Sequence, residues 1–205
     1  MSFYTNKYIL HDDSYILKNV FFDKYFTKKM KILDIGCSVG NFIAFNPENI
    51  IGIDKDKEAC NIATKRGFRI FNCDIEKENL SFRNKFDAIH LGGVLEHCKN
   101  PDLVIQKLLP LLKENGIFVI NVPNARVIPF YKFYWDYTHQ TPYTKESLIA
   151  LAQNNGLEIV KIEPETKYSI LGLNRLNKIF PYLTKLILKS IGRGEGIIGC
   201  FRKKT

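Results

Sequence analysis

No Cys-x-x-Cys pair and no metal-like Cys/His spacing occurs among the five cysteines of this 205-residue chain. Their odd count argues against a disulfide framework. Four of them lie in or beside apolar runs, where free thiols are usually buried, so a reducing compartment is expected and a metal centre is not. No apolar stretch reaches the length of a membrane span. The opening MSFYTNKYILHDDSY has no basic segment followed by an apolar one, so no secretory leader is expected. Together these absences predict a cytoplasmic protein. A Walker lysine is missing too, which disfavours ATP hydrolysis. Internal repeats and low-complexity tracts are not found.

What remains is an ordinary globular composition, 45% hydrophobic and 25% charged. The length suits one buried α/β core and is short for two, so residues 1–205 read as a single domain. The formal charge of +9 invites an anionic partner. Only the closing FRKKT is dense, however, and lysines scattered over solvated positions account for the rest. A nucleic-acid partner is therefore disfavoured.

From Lys31 onward, β-type apolar runs alternate with helical segments, the pattern of a parallel sheet with helices on both faces. Strands are predicted at Lys31–Asp34, Ile50–Asp54, Arg69–Asn72, Phe86–Leu91, Gly116–Asn121, Leu157–Ile162 and Ile197–Arg202. Helices are predicted at Lys57–Arg66, Pro101–Lys113 and Lys145–Asn154, the last capped by Thr144 and ended by Gly156. Residues 1–29 read as an N-terminal helical segment packed on the sheet, and 163–196 as an insertion before the last strand.

Chemistry concentrates at strand ends. Asp34, Gly36 and Gly40 end the first strand and open a helix, kept short by Pro47, and Asp54 ends the second strand twenty residues after Asp34. Glycines let a backbone approach a ligand closely, and an acid on the neighbouring strand can accept both hydroxyls of a ribose. The loop Asp34-Ile-Gly-Cys-Ser-Val-Gly40 lacks the dinucleotide spacing Gly-x-Gly-x-x-Gly and carries a carboxylate, which repels a pyrophosphate. It suits a cationic ligand with a free amino group, such as S-adenosylmethionine. Taken alone, Asp54 could cap the next helix and Asp74 could be a turn residue. Three acids at three successive strand ends favour a site.

The segments LDIGCSVGNF, IIGIDKD, FNCDIE, FDAIHLGGVLEHCKNPDLVIQKLLPLLKENGIFVINVPN and DYTHQTPYTKESLIALAQNNGLEIV resemble a class I S-adenosylmethionine-dependent methyltransferase. More narrowly, they resemble the small methyltransferases associated with surface-polysaccharide synthesis. The resemblance implies a Rossmann-like sheet of seven strands, mostly parallel, with an antiparallel last strand. It implies that Asp34, Gly36, Cys37 and Gly40 surround the methionine part of S-adenosylmethionine, and that Asp54 and Lys55 hold the ribose and adenine. Asp74 and Ile75 would meet the adenine, with Leu91 and Gly92 on the cofactor's other side. Ser38 stands where such loops commonly carry glycine.

The loop after the fourth strand, LGGVLEHC, lacks the Pro-Pro-aromatic motif of nucleobase amino methyltransferases, and Cys98 lacks a Pro-Cys setting. A small-molecule or saccharide hydroxyl is therefore the expected acceptor. Removing its proton calls for a base, and His139 in FYWDYTHQTPYT is the first choice, with Asp136 orienting it. That pair could equally just fix its loop to the following helix. The aromatics Tyr131, Phe133, Tyr134 and Trp135 could wall the acceptor, while His97 is read as shaping the pocket from within the fold. Residues 174–191 mix apolar and basic side chains and offer a peripheral membrane contact. The alternatives are a methyltransferase-fold protein that binds the cofactor without catalysis, and an RNA methyltransferase. The sequence leaves the oligomeric state open.

Overall fold

The computed structural model describes residues 22–165 and 195–204. The expected insertion and the 174–191 stretch therefore lie outside the described residues, as does most of the N-terminal segment. Seven strands form one sheet in the order β3-β2-β1-β4-β5-β7-β6. They are β1 Ile32–Ile35, β2 Ile50–Asp54, β3 Ile70–Asn72, β4 Phe86–Gly92, β5 Leu112–Pro123, β6 Leu157–Pro164 and β7 Gly196–Lys203. Strands β1 to β5 pair in parallel, and β7 runs antiparallel between β5 and β6. This is the Rossmann-like mixed sheet that the resemblance implies.

Helix α1 is Lys57–Lys65, α2 is Pro101–Leu108 and α3 is Lys145–Asn154. Each starts on a polar cap. Asp56 accepts from Glu58 and Ala59, Asn100 accepts from Leu103, and Thr144 forms a reciprocal capping box with Ser147. Helix α2 stops earlier than predicted because Pro110 has no N–H to donate and its ring crowds the preceding turn. The chain tightens into a 3-10 turn at Leu109–Leu111, and β5 starts at Leu112, four residues before the predicted Gly116. Leu112 pairs with Phe86, then β5 bulges through Asn115, at φ 59°, before Ile117 meets Ala88.

All four residues of β1 are buried, as both-face coverage requires. One face packs Leu33, Ile35, Ile89 and Leu91 against α2 and α3. The other packs Ile32 and Val119 under Phe22, Phe26 and Phe42. The described end of the N-terminal segment, with a helical turn at Asp23–Tyr25, lays those aromatics on the sheet.

Asp34 falls on this aromatic face. His90 is its register partner on β4, and His90 Nδ1 lies 2.7 Å from Asp34 Oδ1 with both side chains almost fully buried. The His90 ring stacks at 4.3 Å on Phe42. Burial pushes the Asp34 pKa up, and the hydrogen bond from His90 opposes that. Removing one member strands a polar group in an apolar layer. His90→Ala is expected to destabilise the fold by roughly 3–5 kcal/mol, and D34L/H90L to recover most of it. Urea denaturation reads both; a single-variant loss under about 1 kcal/mol would show that the pair carries little.

Candidate active site

The cleft opens at the carboxyl ends of β1, β2 and β4, where the strand order reverses. It encloses about 270 Å³. The loop after β1 forms one wall and is tied to β2, since the Gly36 and Cys37 N–H groups both donate to the Ile53 carbonyl at 2.8 and 3.1 Å. Gly36 sits at φ 71°, and a Cβ there would come within 2.5 Å of Val94 Cγ2. Instead of the expected α-helix, a three-residue 3-10 turn at Ile43–Phe45 follows the loop, cut short before Pro47.

Of the expected cofactor contacts, Gly36, Asp54, Lys55, Asp74, Ile75 and Gly92 line the cleft. Asp34, Cys37, Gly40 and Leu91 do not. Strand alternation turns Asp34 toward His90, on the opposite face from cleft-lining Ile35. Cys37 is buried beneath the loop, where Gly52 leaves room for its sulfur, and burial pushes its thiol pKa up. Gly40, at φ 84°, makes space for the Phe68 ring. Leu91 is wholly buried in the core.

Asp54 is pre-oriented. Its Oδ2 accepts from the Ser38 N–H at 2.7 Å and its Oδ1 from the Asp56 N–H at 2.8 Å. Burial raises its pKa, against those two backbone bonds. Asp56, not Asp54, caps α1. Ser38 takes a left-handed conformation, φ 47°, and its Oγ is buried in the cleft wall with no hydrogen-bond partner among the described residues. That orphaned hydroxyl fits a polar ligand, and so does a carboxylate with lone pairs to spare. Asp74 is held by Lys77 at 3.1 Å and by the Glu76 N–H. Burial works to raise its pKa, but these partners keep it below the usual carboxylate value.

On the far side the structure redistributes the expected catalytic pair. His97 and Thr138 line the cleft, whereas His139 and Asp136 do not. The His139 ring stacks behind His97 at 4.6 Å and on Phe133 at 4.5 Å, with Nδ1 2.7 Å from the Phe133 carbonyl. Asp136 Oδ2 is 4.0 Å from His139 Nε2, and its Oδ1 accepts from the Thr138 hydroxyl at 2.7 Å. Thr138 has one hydroxyl proton, so His97 Nδ1, 2.8 Å from that oxygen, is the donor to it. The lone pair of His97 then sits on Nε2. Burial and the neighbouring His139 hold the His97 pKa below its ordinary value. Of the aromatics read as an acceptor wall, Phe133 is buried against His139 while Tyr131 and Trp135 stand about two-thirds exposed. Cys98 lines the cleft as a thiol, its pKa pushed up to about 12 by burial and then by Glu76 and Glu96.

A family model described as a methyltransferase domain matches residues 14–162. An uncharacterized protein of Methanocaldococcus jannaschii is 36% identical over 92 residues, 44% of this chain and 43% of its own length. The match thus spans under half of that relative. The ubiquinone biosynthesis O-methyltransferase of Colwellia psychrerythraea is 28% identical over 181 residues, covering 78% of this chain and 71% of that enzyme. In fold, the chain is similar to a SAM-dependent methyltransferase from Archaeoglobus fulgidus, with a TM-score of 0.68 at 21% identity. That likeness covers 96% of this chain and 99% of the other.

The contact of Gly36 with Val94 gives a test of the cleft's geometry. Gly36→Ala should cost about 1–3 kcal/mol through clash and left-handed strain together. Adding Val94→Ala should restore only the clash part. Thermal denaturation of both variants reads this, and a Gly36→Ala protein as stable as wild type would contradict it.

Proposed function

The chain belongs to the methyltransferase domain family, and on that premise we propose that it transfers a methyl group from S-adenosylmethionine to a hydroxyl of a small-molecule acceptor. A saccharide is the acceptor class this reading favours. The observation that carries it is Asp54, held at the end of β2 by two backbone N–H groups beside the orphaned Ser38 hydroxyl. Both carboxylate oxygens retain lone pairs for the two ribose hydroxyls. Lys55 and Ile75 flank the adenine, and Asp74 accepts from its amino group. Gly36 and Gly92 let the backbone close on the methionine part. Asp34, Cys37, Gly40 and Leu91 support these residues rather than touching the cofactor.

S-Adenosylmethionine supplies a methyl carbon already activated by the sulfonium, so the chain's task is alignment and proton removal. The acceptor hydroxyl lies beside His97, and His139 and Asp136 back that imidazole through stacking and the Thr138 hydroxyl. Oxygen as the methylated atom is supported by the printed name of the Colwellia relative and by a Cys98 thiol too weakly acidic to act as a nucleophile. The absent Pro-Pro-aromatic loop weighs against base methylation of RNA. Cofactor binding without catalysis is disfavoured by the polar cluster around His97. Five unpaired thiols accord with the cytoplasm, and no described helix is long and apolar enough to cross a membrane. A peripheral contact through residues 174–191 belongs to the same reading; salt-sensitive sedimentation with anionic liposomes would test it.

Asp54→Ala should weaken S-adenosylmethionine binding by about 1.5–3 kcal/mol for each hydrogen bond lost. Calorimetry checks this, and wild-type affinity in the variant would remove Asp54 from the site. Because the ribose hydroxyls need the ionised carboxylate, affinity should fall as pH drops. The raised pKa makes the fall begin at higher pH than for an ordinary aspartate, and Asp54→Asn should flatten it. His97→Ala should lower turnover by about 10²–10⁴-fold with cofactor affinity nearly unchanged. Labelled-cofactor assays on saccharide and RNA acceptors would decide the substrate class.

A further inference from the structure

Glu96, His97 and His139 each offer one ligand atom, and these atoms all lie within 4.8 Å of one another. Glu96 is only 3% exposed. Two chain segments meet to build this cluster. The Gln140 and Thr141 N–H groups donate to the Glu96 carbonyl at 2.7 and 3.2 Å, and the Gln140 side chain donates to the His97 carbonyl at 3.0 Å. The 3-10 turn at Leu95–His97 is thereby clamped to the loop that carries His139.

The outer contacts of both imidazoles are those a metal-binding histidine makes. A ligating histidine donates its other ring N–H to a carbonyl or a carboxylate, fixing ring and tautomer. His139 Nδ1 donates to the Phe133 carbonyl at 2.7 Å. His97 Nδ1 donates to Thr138 Oγ1, whose own proton goes to the Asp136 carboxylate. That leaves Nε2 as the ring atom each imidazole would offer to an ion. Two imidazoles and one carboxylate make a donor set suited to zinc and neighbouring first-row ions, with positions left for an exogenous oxygen.

We propose that Glu96, His97 and His139 bind one divalent transition-metal ion at the acceptor end of the cleft. Ligand bonds of about 2.0–2.2 Å bring donor atoms closer to one another than 4.8 Å, so binding draws the three side chains inward within loops that the backbone contacts hold. The linear sequence spaces no such ligands, because His139 comes to Glu96 and His97 only through the Gln140 and Thr141 contacts. The chemistry of the ion rests on the O-methylation reading above. It takes the acceptor hydroxyl as a ligand and lowers its pKa, so that the proton leaves to water and the oxygen remains aligned. This refines the part of His97 in the O-methylation reading from base to ligand, since it then acts on the acceptor hydroxyl by holding the ion.

The test uses the full chain and cobalt(II) or zinc alone, with no acceptor. The wild type should bind one equivalent of cobalt(II), giving ligand-field bands without a thiolate charge-transfer band. Glu96→Gln and His139→Ala should each weaken binding by about 100-fold or more, and Thr138→Val by about 10-fold through its outer contact. Glu146→Gln, an exposed surface change, should bind as wild type. S-Adenosylmethionine calorimetry on each variant reports whether it is folded. No stoichiometric ion, a thiolate band, or undiminished binding in H97A/H139A would overturn the site. If the ion binds as expected but no hydroxyl acceptor is methylated, the metal site stands and the O-methylation reading falls.

Discussion

The pairing of Asp34 with His90 joins the two strands between which the cleft opens. β1 and β4 are neighbours in space but far apart in sequence, and the sheet changes direction between them. A polar pair here, roofed by Phe26 and Phe42, is satisfied only when these strands stand in the observed register. A slip by one residue would bury the carboxylate and the imidazole apart. The pair also reaches the cleft wall through sterics. A Cβ on Gly92 would meet His90 Cε1 at 2.8 Å, so the glycine edge of the cleft follows from the histidine beneath it.

The strand ends were legible because apolar runs between helices leave few other places for acids. Asp54 and Asp74 were found that way, and both line the cleft. Asp34 was found by the same rule and lies on the other face, because one residue of offset in a strand reverses the side chain. An acid at a strand end is thus a weaker sign of a site than its register, and register is a tertiary fact. The boundary of α2 was misjudged for a local reason. Pro110 acts on the turn before it, and the bulged start of β5 has no apolar alternation to reveal it.

The side of the cleft around His97 is less legible in the sequence. His97 and His139 are distant in sequence, and nothing in either segment indicates that Glu96 accepts from two backbone groups beyond His139. Sequence position favours His139 as the base and His97 as a pocket-shaping residue; in the structure it is His97 that lines the cleft, with His139 stacked behind it. The signal that could have found His97 was its place three residues after cleft-lining Val94, in the turn that leaves β4.

The two halves of the cleft are held by different means, and this bears on what can vary. The half beside β1 and β2 is fixed by parallel backbone pairing, with Asp54 bonded to the Ser38 and Asp56 N–H groups. The half around His97 is fixed by side-chain and carbonyl bonds, with Gln140 and Thr138 anchored to His97 in the 3-10 turn and His139 to Phe133 in its own connection. Each such bond contributes only about 0.5–1.5 kcal/mol net, so the loops can be remodelled one contact at a time. The exposed rings of Tyr131, Trp135 and Tyr137 project from the same loop without fixing it. A rigid edge beside an adjustable one means that the loops around His97 can change while the β1–β2 side of the cleft keeps its geometry.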